Sequence, residues 1–140
     1  MRSPIAVAAL VLALAGCKSE SPEAQVRKAF GEAVAAVESG DAAGAAELLH
    51  PEFRGPEGMT RPEARLYLMG WLRQDQVGIT ILAQRVDLQG QDAYQSVDLL
   101  FTGKGAGKLL PDEGSRRSLV LRWVKGGKSW RIRELQTAGA

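Results

Sequence analysis

The sequence is poor in the residues that most often announce a function. One cysteine in 140 residues excludes a disulfide framework and any multi-thiolate metal site, and one histidine, His50, leaves little from which to build a zinc centre. Aromatic residues are 6% of the chain, so each of the three tryptophans, Trp71, Trp123 and Trp130, stands out. Neither sign of charge is in excess: the formal net charge is +2, too small to argue for nucleic acid. No internal repeat is present. The longest apolar run, Ile5 to Ala15, is eleven residues. As a helix it rises about 16 Å, whereas a membrane span takes roughly 20 residues. Hydrophobic residues at 45% and charged residues at 24% are ordinary globular values, which removes the disordered and fibrous classes.

What is present begins with an address. Met1-Arg2 supplies a positive start and the apolar run follows, the pattern of an export signal. The run ends in Leu14-Ala15-Gly16-Cys17, which resembles the cleavage box of bacterial lipoproteins. That resemblance implies a diacylglycerol on the Cys17 sulfur, removal of residues 1–16, and acylation of the new amine. One fatty chain binds a membrane marginally, and additional chains make the anchor stable. Without lipidation Cys17 would be a lone free thiol in an exported protein, an unusual feature. Lys18-Ser19 follow the cysteine where an aspartate would otherwise retain the protein. By resemblance to enterobacterial sorting, this places it in the outer membrane of the cell envelope, facing the periplasm. Residues 17–22 then form the lipidated cysteine and a tether, and residues 23–137 a single domain, large enough for one core.

Within that domain the hydrophobic period changes once. Ser21-Pro22 is a helix start, and Val26, Phe30, Ala33, Val34 and Val37 recur at helical spacing up to Gly40. Asp41 caps a short second helix with Ala45, Leu48 and Leu49 on one side, which His50-Pro51 stops. Phe53 to Gly58 is a connector or a short strand. Thr60 and Glu63 fit a capping box for a third helix running to about Gln74, with Ala64, Leu68, Trp71 and Leu72 inward and Tyr67 on its flank. After Gln76 the pattern alternates. Val77, Ile79 and Ile81 have one parity and Val86 and Leu88 the other, so a bulge is predicted near Ala83–Arg85. Strands follow over Ala93–Thr102, Arg116–Lys125 and Lys128–Gln136, the last two joined at Gly126-Gly127. The predicted class is α+β: three N-terminal helices packed on a curved antiparallel sheet of four or more strands, cone-like.

The run Gly40-Asp41-Ala42-Ala43 with Leu48-Leu49-His50-Pro51-Glu52-Phe53 resembles the second-helix region of the nuclear transport factor 2-like superfamily. The segment Trp123-Val124-Lys125-Gly126-Gly127-Lys128-Ser129-Trp130-Arg131-Ile132 is similar to that superfamily's last hairpin. The resemblance implies a cone with a pocket between sheet and helices. Its members include isomerases, dehydratases, cyclases and non-catalytic binding domains, and dimerisation through the open sheet face is common among them. The fold therefore leaves the activity open.

The charged and aromatic residues give several candidates. Gly103-Lys104-Gly105-Ala106-Gly107-Lys108 has the composition of a phosphate loop but not its spacing: Thr102 stands where the first glycine is needed, and Leu109 where a Ser or Thr is needed. His50 is either a general base or a group at a helix end, and no second histidine pairs with it. Glu134 shares strand parity with Trp130 and Ile132, which puts it at the mouth of the cone, whereas Asp98 has the parity of a solvent-facing residue. Tyr67, Trp71, Trp123 and Trp130 either line a ligand pocket with Glu134 or belong to the core. Residues 101–140 carry nine Lys/Arg against three Asp/Glu, and residues 18–100 eight against thirteen, so the last hairpin is basic. Basic strand residues also discourage edge-to-edge pairing.

No pair of convergent acid–base groups is visible, so no catalytic residue, metal site or cofactor is assigned. The expected function is a lipid-anchored binding domain of the cell envelope that holds a small apolar ligand or a partner protein, with a homodimer as a further expectation and nucleic acid excluded. An isomerase- or dehydratase-like enzyme on the same cone, and a scaffold docking a partner on its open sheet face, are the alternatives.

Overall fold

The computed structural model describes residues 20–104 and 116–138. Cys17, the export signal and residues 105–115 of the glycine-rich connector lie outside the described residues. Helix α1 (Pro22–Glu38) starts where the Ala24 N–H donates to Ser21 Oγ at 3.2 Å, and its Val26, Ala29 and Phe30 are buried. The Gly44 N–H donates to Asp41 Oδ1 at 2.9 Å, which caps α2 (Ala42–Glu47). Helix α2 is shorter than the sequence pattern implies. Leu49 is no helix residue but opens strand β1 (Leu49–Arg54), whose Leu49 and Phe53 are buried. A single helical turn over Pro56–Gly58 leads to α3 (Arg61–Gln74), started by the expected capping box of Thr60 and Glu63.

Four long strands follow: β2 (Gln76–Gln89), β3 (Asp92–Lys104), β4 (Arg116–Gly126) and β5 (Ser129–Thr137). They form an antiparallel meander, and β1 joins its far edge parallel to β5, giving the order β1-β5-β4-β3-β2. The architecture is α+β, with N-terminal helices packed on a mixed five-stranded sheet. The two tight hairpins turn at Gly90 and Gly127, both at positive φ, a conformation that glycine adopts without a Cβ clash.

Two irregularities set which side chains face inward. Between Ile81 and Ala83 the register against β3 slips by one residue, with Leu82 extra. This is the predicted bulge, placed slightly earlier in the chain. It lets Val77, Ile79 and Ile81 share the helix-covered face with Gln84, Val86 and Leu88 despite their opposite parity. A second slip lies in β5: Trp123 pairs with Ile132 and Arg122 with Glu134, leaving Arg133 extra. Beyond it Leu135 and Thr137 turn inward, and Glu134 turns out.

The core lies between the inner sheet face and the helices. Val26, Ala29 and Phe30 of α1 and Ala64 of α3 join a cluster with Leu49, Phe53, Val97, Leu99, Leu121, Trp123, Trp130 and Ile132. Helix α3 covers less than its pattern promised: Ala64 is its one buried residue, while Leu66 is 67% and Tyr67 60% exposed. Among the described residues no helix is long and apolar enough to cross a membrane.

Candidate functional site

The inner face of β3 presents Ala93, Gln95, Val97, Leu99 and Phe101, since alternate residues share a face. Gln95 is the exception among these apolar neighbours. It is fully buried, opposite Leu121 of β4 and Val86 of β2. A buried amide is costly unless it is hydrogen-bonded, and here both its oxygen and its nitrogen have a partner. The Trp123 indole N–H donates to Gln95 Oε1 at 2.9 Å, and Gln95 Nε2 donates to Gln84 Oε1 at 2.9 Å. Gln84 is half-buried, so the chain of bonds runs from the core toward the open part of β2. Indole and amide can offer hydrogen bonds to a hydroxyl or carbonyl, but neither gains or loses a proton near neutral pH.

The other aromatic candidates do not converge on this group. Tyr67 and Trp71 lie 6.3 Å apart between ring centroids, and Trp71 lies 5.9 Å from Phe101. This row, exposed at Tyr67, sits on α3 and the distal part of β3. At the usual rise of a strand, Phe101 is about 26 Å along β3 from Ala93, the residue opposite Trp123. Trp130 is different again: its indole N–H donates to Gln25 Oε1 at 2.9 Å, tying β5 to α1, and Lys125 Nζ lies 5.8 Å over its ring. The structure thus joins Tyr67 to Trp71, puts Trp123 in the core, and uses Trp130 to hold α1.

Glu134 is not on the face of Trp130 and Ile132, because the extra residue Arg133 reverses its direction. It lies on the open face, where Arg122 Nε donates to Glu134 Oε1 at 2.5 Å and Arg122 Nη1 to Asp92 Oδ2 at 3.1 Å. The hydrogen bond to Glu134 raises the Arg122 guanidinium above its ordinary value; partial burial opposes this and Asp92 adds to it. Asp98 is on the same open face, as expected, accepting from Ser118 Oγ at 2.5 Å with Arg116 at 3.9 Å. His50 lies inside β1 rather than at a helix end, and its Nδ1 accepts the Glu52 N–H at 3.0 Å. The basic residues of the last hairpin are largely spent on the fold. Arg131 donates to the Glu47 carbonyl and Arg133 to that of Glu52, which fastens β5 to the end of α2 and to β1.

Reasoning from sequence missed Gln95 and Gln84 as inward groups. Gln95 was legible, because it shares parity with Val97 and Leu99. Gln84 depended on the position of the bulge. Outside the cone, an open groove of about 1010 Å³ runs between α1, α2 and the β4–β5 hairpin, lined among others by Gln25, Lys28, Glu32, Glu47, Lys128 and Arg131. Its walls carry both signs of charge, unlike the inner sheet face. Among the described residues no cluster of His, Cys, Asp and Glu is placed to hold a metal ion.

No family model matches the chain, and no curated protein matches it. Solved structures do. Aln2 from a Streptomyces species is 15% identical, with 86% of this chain and 94% of that one covered at a TM-score of 0.73. A nuclear transport factor 2-like protein from Cytophaga hutchinsonii is 12% identical, with 86% and 100% covered at 0.65. A protein from Catenulispora acidiphila in complex with S-DNPA is 13% identical, with 82% and 92% covered at 0.68. At such identities the likeness shows the fold alone: the chain has the nuclear transport factor 2-like cone. That fold is compatible with ligand binding and with isomerase activity.

Proposed function

We propose that the chain is a lipid-anchored binding domain of the cell envelope, on the periplasmic side of the outer membrane, which holds a small apolar ligand against the inner sheet face and does no chemistry on it. One observation carries the binding part. Among the described residues the inner sheet face is apolar apart from neutral hydrogen-bonding groups, chiefly Trp123, Gln95 and Gln84, and the exposed basic side chains of Arg117 and Lys125 toward its two ends. An isomerase or dehydratase needs a group that takes up a proton beside the substrate; the sheet's carboxylates Glu134, Asp92 and Asp98 point to the other face, and Glu38 at the end of α1 accepts the Ile79 N–H at 2.9 Å. The anchor rests on Leu14-Ala15-Gly16-Cys17 and its resemblance to lipoprotein cleavage boxes. The Catenulispora acidiphila structure supports the binder reading in one respect: a protein of this fold is found in complex with S-DNPA.

A ligand burying about 200 Å² at roughly 25 cal/mol per Å² gains about 5 kcal/mol before ordering costs, which corresponds to weak or moderate affinity. Native mass spectrometry of the purified protein is therefore expected to release a co-purified apolar molecule. A panel of hydrophobic compounds should raise the melting temperature. Conversion of a bound compound to product would overturn the non-catalytic reading in favour of the enzyme. An empty protein unshifted by the panel would overturn ligand binding and favour docking on the open face.

A further inference from the structure

We infer that the end of the domain formed by the start of α1 and the β4–β5 hairpin lies against an anionic phospholipid surface, with Lys125 and Lys128 at the headgroup phosphates. The inference rests on the proposed lipid anchor at Cys17 and adds to it an orientation and a lipid chemistry.

The first argument is the length of the tether. From Cys17 to Pro22, where α1 begins, the chain spans at most about 18 Å when fully extended. A domain of this size has a radius of gyration of about 13 Å and is therefore roughly 35 Å across. A tether shorter than the body it holds cannot bring the far end of that body to the bilayer. The end carrying the start of α1 must face it.

The second argument is what else stands at that end. Glu20 and Lys128 line one groove, and Trp130, two residues after Lys128, is bonded to Gln25 in the second turn of α1. The hairpin turn at Gly127-Lys128 is thus beside the tether. Most of the acids nearby are neutralised: Glu23 pairs with Arg27 at 3.0 Å, Glu20 with Lys28 at 3.8 Å, and Asp92 with Arg122 at 3.1 Å. Glu32 and Glu47 line the groove behind the turn. Lys125 and Lys128 are exposed and have no carboxylate partner among the described residues; Lys125 is held over the Trp130 ring instead. Their charge acts only within a Debye length, about 8 Å at physiological salt, so it holds the hairpin at the surface when the tether, up to about 18 Å long, is drawn in. Each lysine at such a surface favours the apposed arrangement by about five-fold.

The test uses the full chain, purified with its acyl groups and reconstituted into vesicles of phosphatidylcholine alone or of phosphatidylcholine with one quarter phosphatidylglycerol. A water-soluble amine-acetylating reagent is applied and each lysine is read by peptide mass spectrometry. Labelling of Lys125 and Lys128 is expected to fall about five-fold in the anionic vesicles and to recover in molar salt. Lys104, at the opposite end of β3 where it pairs with Gln76, serves as the reference and should not change. Equal labelling in both vesicles with Cys17 acylated would overturn the orientation and leave the anchor standing. Protection of Lys104 in place of the hairpin would do the same. An N-terminal peptide whose mass shows no lipid on Cys17 would overturn the anchor, and this inference with it.

Discussion

Gln95 and Ser96 are neighbours on β3, yet they stand in different solvents. Gln95 is sealed between Trp123 and Gln84, every contact a neutral hydrogen bond. Ser96 points to the open face, which also carries Asp92, Asp98, Arg116, Arg122 and Glu134, paired across strands. The difference follows from the cost of burying charge, which is several-fold that of burying an amide whose hydrogen bonds are made. A sheet that buries one face and wets the other keeps ionisable groups out of the buried part; Arg117 and Lys125 share the inner face only where it is exposed. The consequence for function is direct: the face that could enclose a ligand has hydrogen bonds to offer, and the face with acids and bases has no enclosure.

The inner face should be the fragile one. Trp123→Ala removes a fully buried side chain and leaves Gln95 Oε1 without its donor, so a loss of about 3–5 kcal/mol is expected in a chemical melt. A loss below about 1 kcal/mol would mean that the Trp123 site collapses or is wet. The sorting rule itself can be broken with Gln95→Glu. If burial raises the introduced carboxyl by about two units, the variant loses about 3 kcal/mol at neutral pH. That loss must shrink as pH falls through the raised value, because the protonated acid is neutral like the amide it replaces. A pH-independent loss would point to packing instead. On the open face the same treatment should do little. Arg122 is 24% exposed and its partners Asp92 and Glu134 are 34% and 39% exposed. Arg122→Gln is expected to cost under about 1 kcal/mol, and less in high salt.

The sequence made the elements legible and left the faces harder to read. Caps at Ser21, Asp41 and Thr60 are local signals, since each side chain bonds a backbone amide three residues on, and all three are where they were expected. The bulge in β2 was legible because it reverses the parity of apolar residues, Val77 to Ile81 against Val86 and Leu88. The bulge in β5 was not. Its extra residue, Arg133, lies between Ile132 and Glu134 with a single apolar residue, Leu135, beyond it to reveal the reversal. Glu134 was misplaced for that reason alone. Strand β1 was hidden differently: Leu48-Leu49-His50 continues a helical spacing, and its strand character comes from pairing with β5, a partner about eighty residues away. Distance also hid the layout of the candidate aromatics, whose residue types were visible but whose separation along the sheet was not.

One exposed carboxylate sharpens the comparison further, because it matters without being buried. Glu63 opens α3, where its Oε1 accepts the Thr60 N–H at 2.9 Å while the Glu63 N–H donates to Thr60 Oγ1 at 3.4 Å. The backbone hydrogen bond from Thr60, then the bond to its hydroxyl, holds the carboxyl below its ordinary value, against slight desolvation and with help from Arg54. A carboxyl lowered in the folded state contributes stability above its unfolded value and loses it as pH falls through the folded one. Glu63→Gln keeps an accepting oxygen but not the charge, so the wild type should be the more stable of the two at neutral pH. Thermal melts taken down through the carboxylate range should bring the two curves together. A gap that persists in acid would assign the effect to the shape of the capping box and not to its charge, and the open side of the molecule would then contain no charge that the fold depends on at this helix.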